Sequence, residues 1–200
     1  MSYAIVGFGK IGQALAHAFA RKNIDVTVAS RRAPEALAPQ ARAMGPTVIA
    51  RSLRDALEAD TIILAVPFSE HREVAKALPT WKGKTVIDAT NAFGVLLEEL
   101  NGLLSSAFVA KSFPGAKFVK GFNHLAAATL ATDPVVEGGH RVVFLSSDDE
   151  DAIAPVADLA KELGFAPVKL GKLNEGGALV HARGRTWGQL IFQDLFKKEQ

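Results

Sequence analysis

The feature that most constrains this chain is the spacing of three glycines directly after its first apolar run. Tyr3-Ala4-Ile5-Val6 leads into Gly7-x-Gly9-x-x-Gly12, and a helical pattern follows through Arg21. Each glycine has a separate physical job: Gly7 permits a tight turn, Gly9 lets the backbone approach a pyrophosphate, and Gly12 lets the helix pack against its strand. The helix N-terminus adds unpaired N–H groups and a partial positive charge, both suited to phosphate. Ile11, Leu15 and Phe19 recur at a spacing of four, with Ala16 and Ala20 beside them, and give that helix an apolar face for a sheet. A bare glycine motif is weak in a chain with 17 glycines. A strand before it, a helix after it and a second strand from Asp25 to Ala29 make it a dinucleotide turn. Gly7, Phe8, Gly9, Lys10, Ile11 and Gly12 are its expected cofactor contacts.

The second strand ends in Ser30-Arg31-Arg32. A site that prefers NAD places Asp or Glu here to accept hydrogen bonds from the ribose 2′-OH. A carboxylate would repel a 2′-phosphate, whereas a hydroxyl and guanidinium groups bind it through charge-assisted hydrogen bonds of roughly 1.5–3 kcal/mol each. Ser30, Arg31 and Arg32 therefore point to NADP(H), the alternative being that the arginines are solvated loop charges.

Further along, the pattern alternates strand and helix. Ala33 to Gly45 is helical but interrupted by Pro34 and Pro39, Thr47–Ala50 is a short strand, and Ser52 is placed to cap a helix from Leu53. Thr61 to Val66 is a β-branched apolar run, as in a parallel strand covered on both faces. Val66 and Pro67 then lie at its carboxyl end, where open α/β sheets bind ligands; the simpler reading makes Pro67 a strand stop. Thr85 to Asp88 is a fifth strand. Asn91 beyond it either presents its amide to the nicotinamide ribose or carboxamide, or is an ordinary turn residue. Lys117 to Phe122 is a sixth strand and runs into Asn123-His124, the candidates for contacting the reacting rings. Arg141–Ser147 and Ala166–Leu170 complete a sheet of about eight strands. Between them the acidic run Asp148–Asp151 opens a helix, a cap rather than a metal site. The expectation is one doubly wound α/β domain over residues 1–200. Residues 171–200 form a C-terminal helical extension that completes the site or a dimer interface and carries His181, Arg183, Arg185, Thr186 and Trp187.

Composition narrows the partners. A formal charge of +2 with no basic cluster larger than a pair argues against nucleic acid. The absence of cysteine excludes disulfides, thiolate-held metals and thiol catalysis. No apolar run reaches the roughly 20 residues that span a bilayer, and no room for a signal peptide precedes Tyr3, so a cytoplasmic protein is expected.

These residues carry a resemblance. Ile5 to Gly12, Val28-Ala29-Ser30-Arg31-Arg32, Ala65-Val66-Pro67, Ile87 to Asn91 and Val119 to Asn123 resemble the coenzyme F420-dependent NADP oxidoreductases and their NADPH-reductase relatives, which include the cytosolic domains of membrane ferric reductases. The resemblance implies a Rossmann fold, NADP(H) on the glycine turn with its 2′-phosphate on Ser30, Arg31 and Arg32, a homodimer, and hydride transfer to a deazaflavin (F420) or a flavin (FMN or FAD). The Gly7-x-Gly9 turn is shorter than in the archaeal F420 enzymes, and Gly176–Trp187 matches no family motif.

In such a transfer the protein mainly stacks two rings and excludes water. No catalytic triad is needed, His17, His71 and His140 read as structural, and His124 and His181 remain as acid candidates. The rival enzyme reading is a reductase of a small ketone or imine; it needs a helical substrate domain, for which the 30 residues after Leu170 are few. A non-enzymatic NADPH-sensing module is the third reading.

Overall fold

The apolar runs line up across the sheet as one row. Ile5 sits opposite Val28 on one side and Ile63 on the other, Ile63 opposite Ile87, and Ile87 opposite Val119. The computed structural model describes residues 1–96 and 98–180. Its main sheet contains β1 (Tyr3–Val6), β2 (Val26–Ala29), β3 (Val48–Ala50), β4 (Thr61–Leu64), β5 (Thr85–Asp88) and β6 (Lys117–Lys120). The order is β3-β2-β1-β4-β5-β6, and every pairing is parallel. All six carboxyl ends therefore share one edge, and the strand order reverses between β1 and β4, where ligands of doubly wound folds bind.

Successive side chains of a strand point to opposite faces. Ile5, Val28, Ile63, Ile87 and Val119 enter a core with Leu15 and Phe19 of α1 (Lys10–Arg21) and Ile153, Val156 and Leu159. Their neighbours Ala4, Val6, Ile62, Leu64, Val86 and Phe118 enter a second core with Trp81, Val109 and Phe113. Burial on both faces is why these strands read as continuous apolar runs rather than as alternation. The remaining helices are α2 (Pro34–Met44), α3 (Leu53–Ala56), α4 (His71–Ala75), α5 (Ser105–Ala110), α6 (Ala127–Ala131) and α7 (Glu150–Glu162). Ser52 caps α3 by accepting the Asp55 N–H at 3.1 Å, and Asp149 caps α7 by accepting the Asp151 N–H at 3.0 Å.

The structure corrects the sequence reading in three places. The expected sheet of about eight strands is a sheet of six. The two later strands, β9 (Val142–Leu145) and β10 (Ala166–Lys169), pair in parallel with each other. Among the described residues, their backbone pairing with the main sheet is one isolated antiparallel bridge, Lys120 with Ser146. The cause lies at the end of β6: Gly121 packs against Leu145, and Phe122, with φ of 59°, turns the chain away. A small hairpin, β7 (Val135–Val136) and β8 (Gly139–His140), was not foreseen; it turns on Glu137 and Gly138, both at positive φ. Finally, α2 continues through Pro39, because Leu37 and Ala41 on either side of it are buried. In the expected C-terminal extension, Gly176–Val180 forms a 3-10 turn. The predicted helical run with His181, Arg183, Arg185, Thr186 and Trp187 lies outside the described residues.

Candidate functional site

The three glycines at the end of β1 separate cleanly by their surroundings. Gly7 has φ of 103°, in the left-handed region, and a Cβ there would lie 2.4 Å from the Ala65 carbonyl oxygen. A Cβ on Gly12 would lie 1.9 Å from the Gly7 carbonyl oxygen, so helix and turn touch through it. At Gly9 a Cβ would meet nothing within 4 Å. The fold requires Gly7 and Gly12, and among the described residues no atom requires Gly9. Its bare backbone faces outward at the N-terminus of α1, where it is the N-cap, with no side-chain cap and no acidic residue in the first turn. First-turn N–H groups have no carbonyl partner inside a helix. Open space, unpaired donors and the positive end of a 12-residue helix make a set that fits a pyrophosphate.

The neighbouring loops complete this end. The Gly7 N–H donates to the Ala29 carbonyl at 2.8 Å, and Gln13 Nε2 donates to the Phe8 carbonyl at 2.9 Å, which fixes the turn to β2 and to α1. Gly9 and Lys10 are exposed and Ile11 is half-buried, whereas the Phe8 side chain is buried in the core, leaving only its backbone for a ligand. Beyond β2, Ser30 Oγ accepts the Arg32 N–H at 3.0 Å, and Arg31 and Arg32 are exposed. Beyond β4, the Ala65–Val66 peptide packs directly on Gly7, and Pro67 opens a 3-10 turn, Phe68–Glu70. Gly7 to Gly12, Ser30 to Arg32, Val66 and Pro67 thus gather around the carboxyl end of β1.

Asn91, Asn123 and His124 belong to a second cluster, at the ends of β5 and β6. Asn91 Nδ2 donates to the Asn123 carbonyl at 2.7 Å, and Asn123 Nδ2 donates back to Asn91 Oδ1 at 3.1 Å. The Asn123 amide also donates to the Val180 carbonyl at 2.8 Å, and the residue is buried. Asn123 therefore clasps three segments, and the half-buried Asn91 is the amide nearer the surface. His124 is turned toward β9: its Nε2 lies 3.0 Å from the Val142 carbonyl, and its ring packs 5.1 Å from that of Phe144. A carbonyl only accepts, so Nε2 carries the proton. Burial lowers the imidazole to about 4, the hydrogen bond to Val142 opposing that shift. His124 is thus neutral at pH 7.

Sequence reasoning missed the residues beneath this cluster. Lys120 Nζ lies 2.9 Å from Asp88 Oδ2 and also donates to the Thr90 carbonyl, while Asp88 Oδ1 accepts the Thr90 N–H at 2.9 Å. Lys120 and Asp88 are register partners at the ends of β6 and β5. Two opposite charges, each closing an apolar run, were the available signal. Glu70, whose Oε1 lies 2.9 Å from Arg31 Nη1, was also missed.

Residues 2–92, which hold the whole first cluster and Asn91, match the family described as NADP oxidoreductase, coenzyme F420-dependent. A candidate F420-dependent NADP reductase of Arthrobacter superposes with a TM-score of 0.70 at 28% identity, over 86% of each chain. Over residues 2–92 the chain is similar to the coenzyme F420-dependent NADP oxidoreductase family. Within the likeness of this oxidoreductase fold, a hypothetical protein of Sinorhizobium meliloti is 42% identical with a TM-score of 0.87, covering 94% of this chain and 92% of that one. Metalloreductase STEAP3 of Rattus norvegicus is 27% identical over 172 residues, which are 84% of this chain and 33% of STEAP3, so the chain spans about a third of that relative's length. Among the described residues, no helix is long and apolar enough to cross a membrane.

Proposed function

We propose that this protein transfers hydride between NADP(H) and a second redox ring system, a deazaflavin such as F420 or a flavin. The observation that carries the nucleotide half is the glycine turn, in which Gly7 and Gly12 are demanded by packing and Gly9 by nothing among the described residues. In this reading the first turn of α1 holds the pyrophosphate, and Ser30, Arg31 and Arg32 take the 2′-phosphate. Val66 and Pro67 flank the nucleotide. Asn91 spends one amide N–H on the Asn123 carbonyl and has its second for the carboxamide or ribose. Asn123 acts by positioning Asn91. His124, neutral and bonded to Val142, holds its loop to β9 and transfers no proton. Once bound, NADP(H) supplies or takes the hydride at its nicotinamide.

The match of residues 2–92 to that family and Phe93, 74% exposed two residues after Asn91, support the ring-shaped acceptor, since an exposed aromatic offers a planar system a stacking face. Stopped-flow oxidation of bound NADPH by F420, FMN, FAD and a panel of ketones and imines tests the proposal. Turnover with a deazaflavin or flavin is the expected result. Turnover with ketones or imines alone moves the protein to the rival class, and tight NADPH binding without turnover makes it a sensor.

A further inference from the structure

The bond between Arg31 and Glu70 crosses the site. Arg31 follows β2 and Glu70 follows β4, and both strands pair directly with β1, one on each side. Two strand spacings amount to about 10 Å, and the two side chains bridge that gap over the carboxyl end of β1, where the glycine turn lies. The two ends of the bridge differ in rigidity. Arg31 sits in the open loop after β2 with its side chain 81% exposed, whereas the Glu70 side chain is 24% exposed. The Glu70 backbone N–H donates to the Pro67 carbonyl at 2.8 Å, closing a 3-10 turn that starts at a proline. Phe68 within that turn stacks on Phe108 with ring centroids 6.0 Å apart, and His71 Nδ1 bonds the Phe68 carbonyl. Glu70 is a fixed post, and Arg31 is a long side chain tied to it.

We infer that Glu70 is a positioning residue for 2′-phosphate recognition: it holds the Arg31 guanidinium over the adenosine end of the site with donors to spare. This rests on the NADP(H) reading above. A guanidinium has five N–H donors, and the single contact from Nη1 to Oε1 leaves the rest of the fork for an anion. An untethered arginine at an exposed loop must be ordered at the moment of binding, which lowers affinity. Tethering lowers that cost for a ligand that uses Arg31 and does nothing for one that does not. Glu70 therefore favours NADPH over NADH, although its own charge would repel a phosphate placed directly against it.

The test is the dissociation constant of the full chain for NADPH and for NADH, by fluorescence titration, in wild type, Arg31→Ala, Glu70→Ala, Glu70→Gln and Arg31→Ala/Glu70→Ala. Glu70→Ala is expected to weaken NADPH by about threefold to tenfold with NADH unchanged. Glu70→Gln keeps an acceptor for Nη1 and is expected to recover most of that loss. In the Arg31→Ala background, Glu70→Ala is expected to have no further effect. Tighter NADPH binding by Glu70→Ala makes Glu70 a competing anion and overturns the inference, and equal losses for both nucleotides make it structural and overturn it too. If Arg31→Ala weakens NADPH and Glu70→Ala does not, only the positioning role fails. If Arg31→Ala itself leaves NADPH unchanged, the NADP(H) reading of this loop fails with it.

Discussion

Lys120 Nζ lies 2.9 Å from Asp88 Oδ2 with both side chains at most 2% exposed, a buried ion pair at the ends of two adjacent parallel strands. Its second partner, the Thr90 carbonyl, ties it to the segment that carries Asn91. The pair therefore sits at the base of the two loops that carry Asn91 and Asn123.

Breaking this pair from one side leaves an uncompensated buried charge, which costs about 3–5 kcal/mol. Lys120→Met is expected to lower stability by that order in urea denaturation. The double variant Lys120→Met/Asp88→Leu, which buries no charge, is expected to regain a substantial part of the loss. A double variant as unstable as the single one would show that Thr90 and shape, rather than charge, dominate.

His124 predicts a pH dependence. Its folded value near 4 lies below the ordinary imidazole value near 6.5, so between them the unfolded chain binds more protons than the native one. The contribution to stability is fully present above about pH 6.5, declines as pH falls from there toward 4, and amounts to roughly 3 kcal/mol at most. Urea midpoints of wild type and His124→Gln at pH 7.5 and pH 4.5 check this. The wild type should lose more on acidification than the variant, and parallel losses would assign the acid sensitivity elsewhere.

The parts of the fold that were legible in the sequence are those decided by local pattern. The runs at Tyr3–Val6, Thr61–Leu64 and Thr85–Asp88 have side chains buried on both faces and announce themselves by adjacent apolar residues, β-branched at Ile5-Val6, Ile62-Ile63 and Val86-Ile87. The glycine turn was legible because steric demand at Gly7 and Gly12 admits one residue type. What was not legible depends on which edge a strand meets. Val142–Leu145 reads as a strand whether it joins the main sheet or pairs with Ala166–Lys169, and the outcome turns on the bend at Gly121 and Phe122. The hairpin at Val135–His140 was hidden because Glu137, rather than Asn or Asp, takes the first positive φ of its turn. In the site, Asn91 and Asn123 were visible as polar residues at strand ends. Their mutual hydrogen bonds were not, because 32 residues of sequence separate them.

Recognition of the 2′-phosphate by the loop after β2 predicts a selective loss. Arg31→Ala/Arg32→Ala removes two charge-assisted contacts of roughly 1.5–3 kcal/mol each. NADPH is expected to weaken by at least about 100-fold while NADH changes little, measured by titration at fixed ionic strength. Equal losses for both nucleotides would mean that the arginines support the loop rather than read the phosphate.

The glycine turn separates folding from binding in a single experiment. Gly12→Ala places a Cβ 1.9 Å from the Gly7 carbonyl oxygen, and Gly7→Ala adds both a 2.4 Å clash with Ala65 and a strained φ. Both variants are expected to lose several degrees or more of thermal stability, together with nucleotide binding. Gly9→Ala meets no atom of the described residues within 4 Å, so its melting temperature should stay within a few degrees of wild type. Its methyl group nevertheless occupies the space that a pyrophosphate needs against the first turn of α1, and NADPH affinity is expected to fall by at least about tenfold. A Gly9→Ala variant that binds NADPH normally would place the pyrophosphate elsewhere on the carboxyl edge, and with it the reading of Ser30, Arg31 and Arg32 that depends on where the adenosine ribose lies.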